Sequence, residues 1–124
     1  METLRGRDSF RRTILSGEQI EGELVRFFIF RHVNGSGRLR VGVAISGKVG
    51  GAVKRNRLKR LMRESLRNGL EKATTHPTGS ADYDIVAMFR LSKTLATKRT
   101  TPVMFEPDVL LLCRSLEIME RRVG

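Results

Sequence analysis

Between Lys54 and Arg67 the chain sets seven cationic side chains, Lys54, Arg55, Arg57, Lys59, Arg60, Arg63 and Arg67, against one acid, Glu64. The run carries a net six of the chain's formal charge of +11, and the chemistry open to it is the holding of a polyanion. Arginine outnumbers lysine five to two here, which favours forked hydrogen bonds to phosphate over plain point charge. A charged helix face is often merely solvated, but here one sign dominates. Like charges at i,i+4, such as Arg55 with Lys59 and Lys59 with Arg63, repel by a few tenths of a kcal/mol per pair. A partner that neutralises them is the simpler explanation. Asn56, a neutral amide among the cations, points to one specific hydrogen bond, to backbone or to ligand.

Acid–base or metal chemistry has far less to work with. The histidines are His32, at a strand end, and His76, in a loop, and neither has an evident orienting partner in the sequence. The acids stand singly, as at Glu64, Glu71, Asp82 and Asp84, and Asp82 with Asp84 is too sparse a pair to invoke a metal. Neither metal-ligand spacing nor a phosphate-cradling glycine loop followed by Lys-Ser or Lys-Thr is present. The one cysteine, Cys113, allows no internal disulfide and reads as a small core residue. No catalytic residue is assigned, and no cofactor or metal is expected on the protein.

The cationic run needs a helix to give it a face. Gly47, Gly50 and Gly51 form a flexible entry, and nothing breaks a helix from Ala52 until Asn68-Gly69, which predicts a helix of about 17 residues. At roughly 100° per residue, Leu58, Leu61, Met62 and Leu66 make an apolar stripe opposite Asn56, Lys59, Arg60, Arg63 and Arg67. Leu4 to Leu15 predicts a first helix with Phe10 and Ile14 on one face and a second basic group, Arg5, Arg7, Arg11 and Arg12.

Strands follow from alternation. Gln19 to Gly22 reads as a short edge strand. In Leu24 to His32, Val25, Phe27 and Ile29 point to a core while Arg26, Phe28 and Phe30 share a half-open face. After a turn at Asn34-Gly35-Ser36-Gly37, the strand Arg38 to Ser46 runs back antiparallel. It sends Leu39, Val41, Val43 and Ile45 inward and leaves Arg38, Arg40, Gly42, Ala44 and Ser46 on the other face, small residues flanked by cations that make a shallow floor. Ala73 to Ala81 reads as a loop, and Tyr83 to Leu91 as a strand buried on both faces. Ser92 to Pro107, with Lys98 and Arg99, is given no regular structure. Pro107 and Asp108 open a last helix carrying Val109, Leu112, Cys113, Leu116 and Met119 at helical spacing. The order is α-β-β-β-α-β-α, an α+β sandwich with a mixed four-stranded sheet packed by helices. The groove predicted between the first helix and the sheet is lined by Phe10, Arg11, Ile14, Arg26, Phe28, Phe30 and Arg40, a surface suited to single-stranded RNA; the alternative is that Phe10, Ile14 and the phenylalanines of the strand only close the core.

A chain of 124 residues, 40% hydrophobic, suits one domain, taken as 1–124, with one modest core. A pI near 11.2 restricts the partner to a polyanion, nucleic acid or an acidic membrane surface. No apolar run approaches the roughly 18 residues of a membrane span. A membrane-surface role is disfavoured because the apolar stripe of the basic helix is narrow and is needed by the sheet. The start METLRGRDSF lacks the apolar core of a signal peptide, so a cytoplasmic location is expected. No internal repeat is visible.

The run from Val49 to Arg63, with Gly50-Gly51-Ala52 at its head and Arg55-Asn56-Arg57 at its centre, resembles the signature of the bacterial ribonuclease P protein component. The resemblance extends over the first helix and the strands Arg40 to Val49 and Asp84 to Arg90, and thins after Leu91. It implies a left-handed β-α-β crossover through the basic helix, against a right-handed rule that holds in roughly 98% of cases. It also implies that an RNA subunit carries out the Mg²⁺-dependent hydrolysis that removes the 5′ leader of precursor tRNA, the Mg²⁺ acting through that RNA. In such an assembly Lys54, Arg55, Asn56, Arg57, Lys59, Arg60 and Arg63 would dock on the catalytic RNA and the groove would guide the leader. No obligate protein partner is evident. The chain departs from many relatives where Gly47 replaces a cation, Gly51 a side-chain amide and Ile14 an aromatic ring, and the last would remove one stacking contact. The alternative from another class is a ribosomal or ribosome-associated RNA-binding protein with no reaction of its own.

Overall fold

The computed structural model describes residues 1–33, 35–72, 81–90 and 102–123. The elements are β1 (Glu2–Thr3), α1 (Arg7–Ser16), β2 (Glu18–Glu21), β3 (Val25–His32), β4 (Leu39–Ala44), α2 (Ala52–Lys72), β5 (Asp82–Phe89) and α3 (Glu106–Val123). The strands form one mixed sheet in the order β1-β4-β5-β3-β2. The α+β class agrees with the sequence reading, but the described residues give five strands, not four. The extra one, β1, pairs parallel with Arg40 and Val41 of β4. Two residues are too few to show a period, so the sequence assigns Glu2 and Thr3 no element; the helix expected from Leu4 begins only at Arg7. Leu4 just beyond β1 is buried, with its N–H donating to the Val41 carbonyl at 3.0 Å.

The strand β5, apolar on both faces, takes the centre of the sheet, where both of its edges are hydrogen-bonded. It runs antiparallel to β3, from Val25 opposite Phe89 to His32 opposite Asp82, and parallel to β4, from Leu39 opposite Tyr83 to Ala44 opposite Met88. β3 and β4 therefore run in opposite directions, as expected, yet are not neighbours: β5 lies between them. The charged β2 and the short β1 are left at the edges, where unpaired backbone can be hydrated.

One face of the sheet builds the main core. Val25, Phe27 and Ile29 of β3, Val41, Val43 and Ile45 of β4 and its exit, and Tyr83, Ile85, Ala87 and Phe89 of β5 pack against α2 and α3. The stripe Leu58, Leu61, Met62 and Leu66 is buried as read, and so are Val109, Leu112, Cys113, Leu116 and Met119. Among the boundaries that differ from the sequence reading, those of α2 and of the stretch before α3 bear on the core. α2 does not stop at Asn68-Gly69 but runs 21 residues to Lys72. Gly69 serves instead as the point where α3 comes close, since a Cβ there would lie 2.2 Å from Cγ1 of Val109. The stretch given no regular structure ends in a 3₁₀ turn, Pro102–Phe105, whose Phe105 is a buried core residue.

The other face carries a smaller cluster, Leu4, Phe28 and Val86, onto which Phe10, Ile14, Ala44 and Met88 pack. The molecule is thus layered, with α2 and α3 on one side of the sheet and α1 on the other. Among the described residues no helix is long and apolar enough to cross a membrane. His76, Asn34, Leu91, Lys98 and Arg99 lie outside the described residues.

Candidate nucleic-acid interface

Because the buried stripe fixes the roll of α2, its cations are turned outward. Lys54, Asn56, Arg57, Arg60, Arg63 and Arg67 are exposed, and Arg55 and Lys59 are half-buried. Among the described residues, none of these side chains has a hydrogen bond or an ion pair to an acid. The entry to the helix is ordered by Ser46, whose Oγ accepts from Lys48 N at 3.2 Å at the head of a 3₁₀ turn, Gly47–Val49. Arg55 folds back toward this turn: its Nη1 lies 3.8 Å from where a Cβ on Gly47 would be. The Nε of Arg55 is shut off from solvent with no hydrogen-bond partner. A cation at position 47 would sit beside Arg55, so glycine there leaves one charge fewer at the head of α2.

On the α1 face the structure brings together most of the residues predicted for the groove, but not as an open trough. Phe10 lies across Gly42, where a Cβ would meet its ring carbon Cζ at 2.2 Å, so the floor expected at Gly42 is occupied by the helix above it. Phe28 is 8% exposed beneath α1 and serves as packing. Phe10, Ile14 and Phe30 are half-buried, and Arg11 is exposed on α1. The open part lies further along the strands, in a cavity of about 440 Å³ lined by Arg26, Ala44, Ile45, Ser46, Met88, Phe89 and Arg90. Arg26 Nε donates to Glu21 Oε1 at 2.6 Å, and that bond holds the Glu21 carboxyl below its ordinary range. Arg90 is steadied by Nη1 donating to the Gly22 carbonyl at 2.8 Å. Ser46 was read on the floor of the groove, whereas Arg90 was not among the predicted lining residues. Alternation could have found Arg90, which continues the outward series Asp84, Val86, Met88 of β5.

At the opposite end of α1 stands a group that sequence reasoning missed. Asp84 is completely buried, and its carboxylate accepts from Arg40 Nε at 2.7 Å, His32 Nε2 at 2.8 Å and Arg12 Nη2 at 3.1 Å. Facing a carboxylate, the His32 Nε2 carries the proton. Both Asp84, set aside as an isolated acid, and His32, read as lacking an orienting partner, thus belong to one cluster. The partners come from β4, β3 and α1, and they meet only because β5 lies between β3 and β4. Without the strand order their spacing carries no signal. Among the described residues, no group of three or more His, Cys, Asp or Glu side chains is placed to hold a metal ion.

Comparison with known proteins agrees with this geometry. The family model for Ribonuclease P matches residues 1–103. The ribonuclease P protein component of Pelotomaculum thermopropionicum is 35% identical over 95 residues, 76% of this chain and 77% of that protein. That of Clostridium novyi is 38% identical over 66 residues, 53% of this chain and 58% of that protein. Over the latter and the Dehalococcoides mccartyi protein, the match spans little more than half of the relative's length. Among solved structures, the RNase P protein from Thermotoga maritima superposes with a TM-score of 0.73 at 25% identity, covering 93% of this chain and 97% of that one. With the family model matched over most of its length and a matching arrangement of three helices on a mixed sheet, the chain belongs to the ribonuclease P protein family.

Proposed function

We propose that this chain is the protein subunit of a ribonuclease P, binding a catalytic RNA and the 5′ leader of precursor tRNA and so assisting endonucleolytic release of the leader. The observation that carries the reading is the predominantly cationic face of α2, whose cations have no acid partner among the described residues while the stripe beneath anchors the helix to the sheet. Lys54, Arg55, Arg57, Lys59, Arg60 and Arg63 are positioned to contact the phosphates of a structured RNA, and phosphate contacts of this kind position without reading sequence. Asn56 supplies the neutral hydrogen bond among them. On the α1 face, the leader's path runs through the cavity bounded by Arg26, Ser46 and Arg90, with Phe10, Arg11, Ile14, Phe30 and Arg40 further along the same face and Phe28 beneath them. Rings that reach such a path stack on unpaired bases for about 1–3 kcal/mol each. The hydrolysis and its Mg²⁺ belong to the RNA subunit in this reading, and the protein contributes binding and placement.

The test is a precursor-tRNA cleavage assay. With catalytic RNA and Mg²⁺ at low salt, the protein should raise the rate of leader removal, and without the RNA it should cleave nothing. Sustained cleavage at the mature 5′ end by RNA-free protein would overturn the division of labour. Tight binding to ribosomal RNA with no effect on cleavage would favour a purely ribosome-associated role.

A further inference from the structure

The Asp84 cluster is more than the fold requires. A carboxylate with no solvent exposure is costly to desolvate, and a packed apolar residue at that position would tie α1 to the sheet at least as well. Here one carboxylate meets two guanidinium groups, which leaves a surplus of positive charge before His32 is counted. Neither arginine makes a forked pair with it. Arg12 uses only Nη2 and Arg40 only Nε, although each guanidinium has five N–H donors. The three partner side chains remain open to solvent, at 46% for Arg12, 32% for Arg40 and 26% for His32. They also frame one half-buried ring. The Arg12 guanidinium lies over Phe30 at 5.3 Å from its centroid, and the His32 ring meets Phe30 edge-on at 4.9 Å. The nearby acids are engaged elsewhere, Glu2 by Arg38, and Asp82 by the backbone N–H groups of Ser36 and Arg38.

We propose that Arg12, His32 and Arg40, gathered on the buried carboxylate of Asp84, form a separate phosphate site that takes one backbone phosphate of unpaired RNA, with Phe30 offered to the adjacent base. The proposal rests on the reading of the α1 face as a path for single-stranded RNA. It adds Arg12 and His32 as contacts and gives Asp84 a role as a positioning residue. The site lies four residues along the strands from the row Arg26–Met88–Ala44, about 13 Å at strand rise, so one extended RNA strand can engage both.

The experiment measures binding of a short unstructured RNA oligonucleotide to the full chain across a salt series, for the parent and for Arg12→Gln, Arg12→Lys and Asp84→Asn. Arg12→Gln should weaken binding and flatten the log affinity against log salt plot by about 0.7, the share of one single-strand phosphate contact. Arg12→Lys should restore the slope, which a packing role for Arg12 would not predict. Asp84→Asn adds one net positive charge, so charge alone would tighten binding; positioning by Asp84 requires that it weaken. An unchanged slope in Arg12→Gln overturns the phosphate site, and unchanged or tighter binding by Asp84→Asn overturns the positioning role. Should Asp84→Asn fail to fold, the two Arg12 variants decide the question alone. Binding of the oligonucleotide does not depend on catalytic RNA, so failure here leaves the cleavage assay to judge the subunit reading separately.

Discussion

The hydroxyl of Tyr83 donates to Glu120 Oε1 at 2.6 Å, and Arg31 Nε donates to the same oxygen at 3.2 Å, joining the central strand to the last turns of α3. Burial, reinforced by the bond to Glu120, pushes the phenol's pKa from 10.0 up to about 12. A raised pKa means that the fold favours the protonated phenol. The stability this contributes is complete below pH 10 and is lost as pH rises from there through about 12. The chain has one tyrosine and no tryptophan, so its phenolate absorbance reports this group alone. The folded protein should titrate near pH 12, and a midpoint near 10 before unfolding would show that the phenol is open to water. Burial likewise raises the Cys113 thiol, in keeping with its reading as a small core residue. Single residues were legible in the sequence where their own chemistry or period sufficed, as with the α2 cations and the stripe beneath them. Asp84, Tyr83 and Asp108 were not, because their partners lie 37 to 85 positions away.

Elements were legible in proportion to their length. β3, β4 and α2 declare themselves by period and β5 by its continuous apolar run, whereas β1 has two residues, and the true end of α2 is set by contact with α3 at Gly69 rather than by local signals. Asp108 shows how one such element is anchored. Read only as part of a helix start, it sits buried in the first turn of α3 and reaches across to β3. Its Oδ1 accepts from Glu23 N at 2.9 Å, and its Oδ2 from Leu24 N at 2.8 Å and Val25 N at 3.0 Å. Three successive backbone donors converge on one carboxylate, so removing it leaves them unpaired at a site largely closed to water. Asp108→Ala should cost about 3 kcal/mol. Urea unfolding should show a lower midpoint at unchanged slope, and a loss below about 1 kcal/mol would mean that water replaces the carboxylate without difficulty.

At the scale of the whole molecule, the sheet separates two kinds of surface. One face is consumed by the core with α2 and α3, and that consumption leaves the cations of α2 facing outward as a rigid array. The other face holds α1 across its middle, with an open cavity beside Arg26 and Arg90 at one end and the Asp84 cluster at the other. The pairing of a basic helix with a groove could be read in the sequence. Its actual form could not, because Phe10 filling the space over Gly42 is a contact between elements that no local pattern encodes. The central claim is that the α2 array holds a catalytic RNA through its phosphates. The most direct measurement is the affinity of the protein for a ribonuclease P catalytic RNA across a salt series, with Arg55→Gln and Arg57→Gln beside the parent. Each substitution should weaken binding and flatten the log affinity against log salt plot by about 0.7–0.9 per contact removed. Variants that keep the parent's affinity and slope would contradict the account.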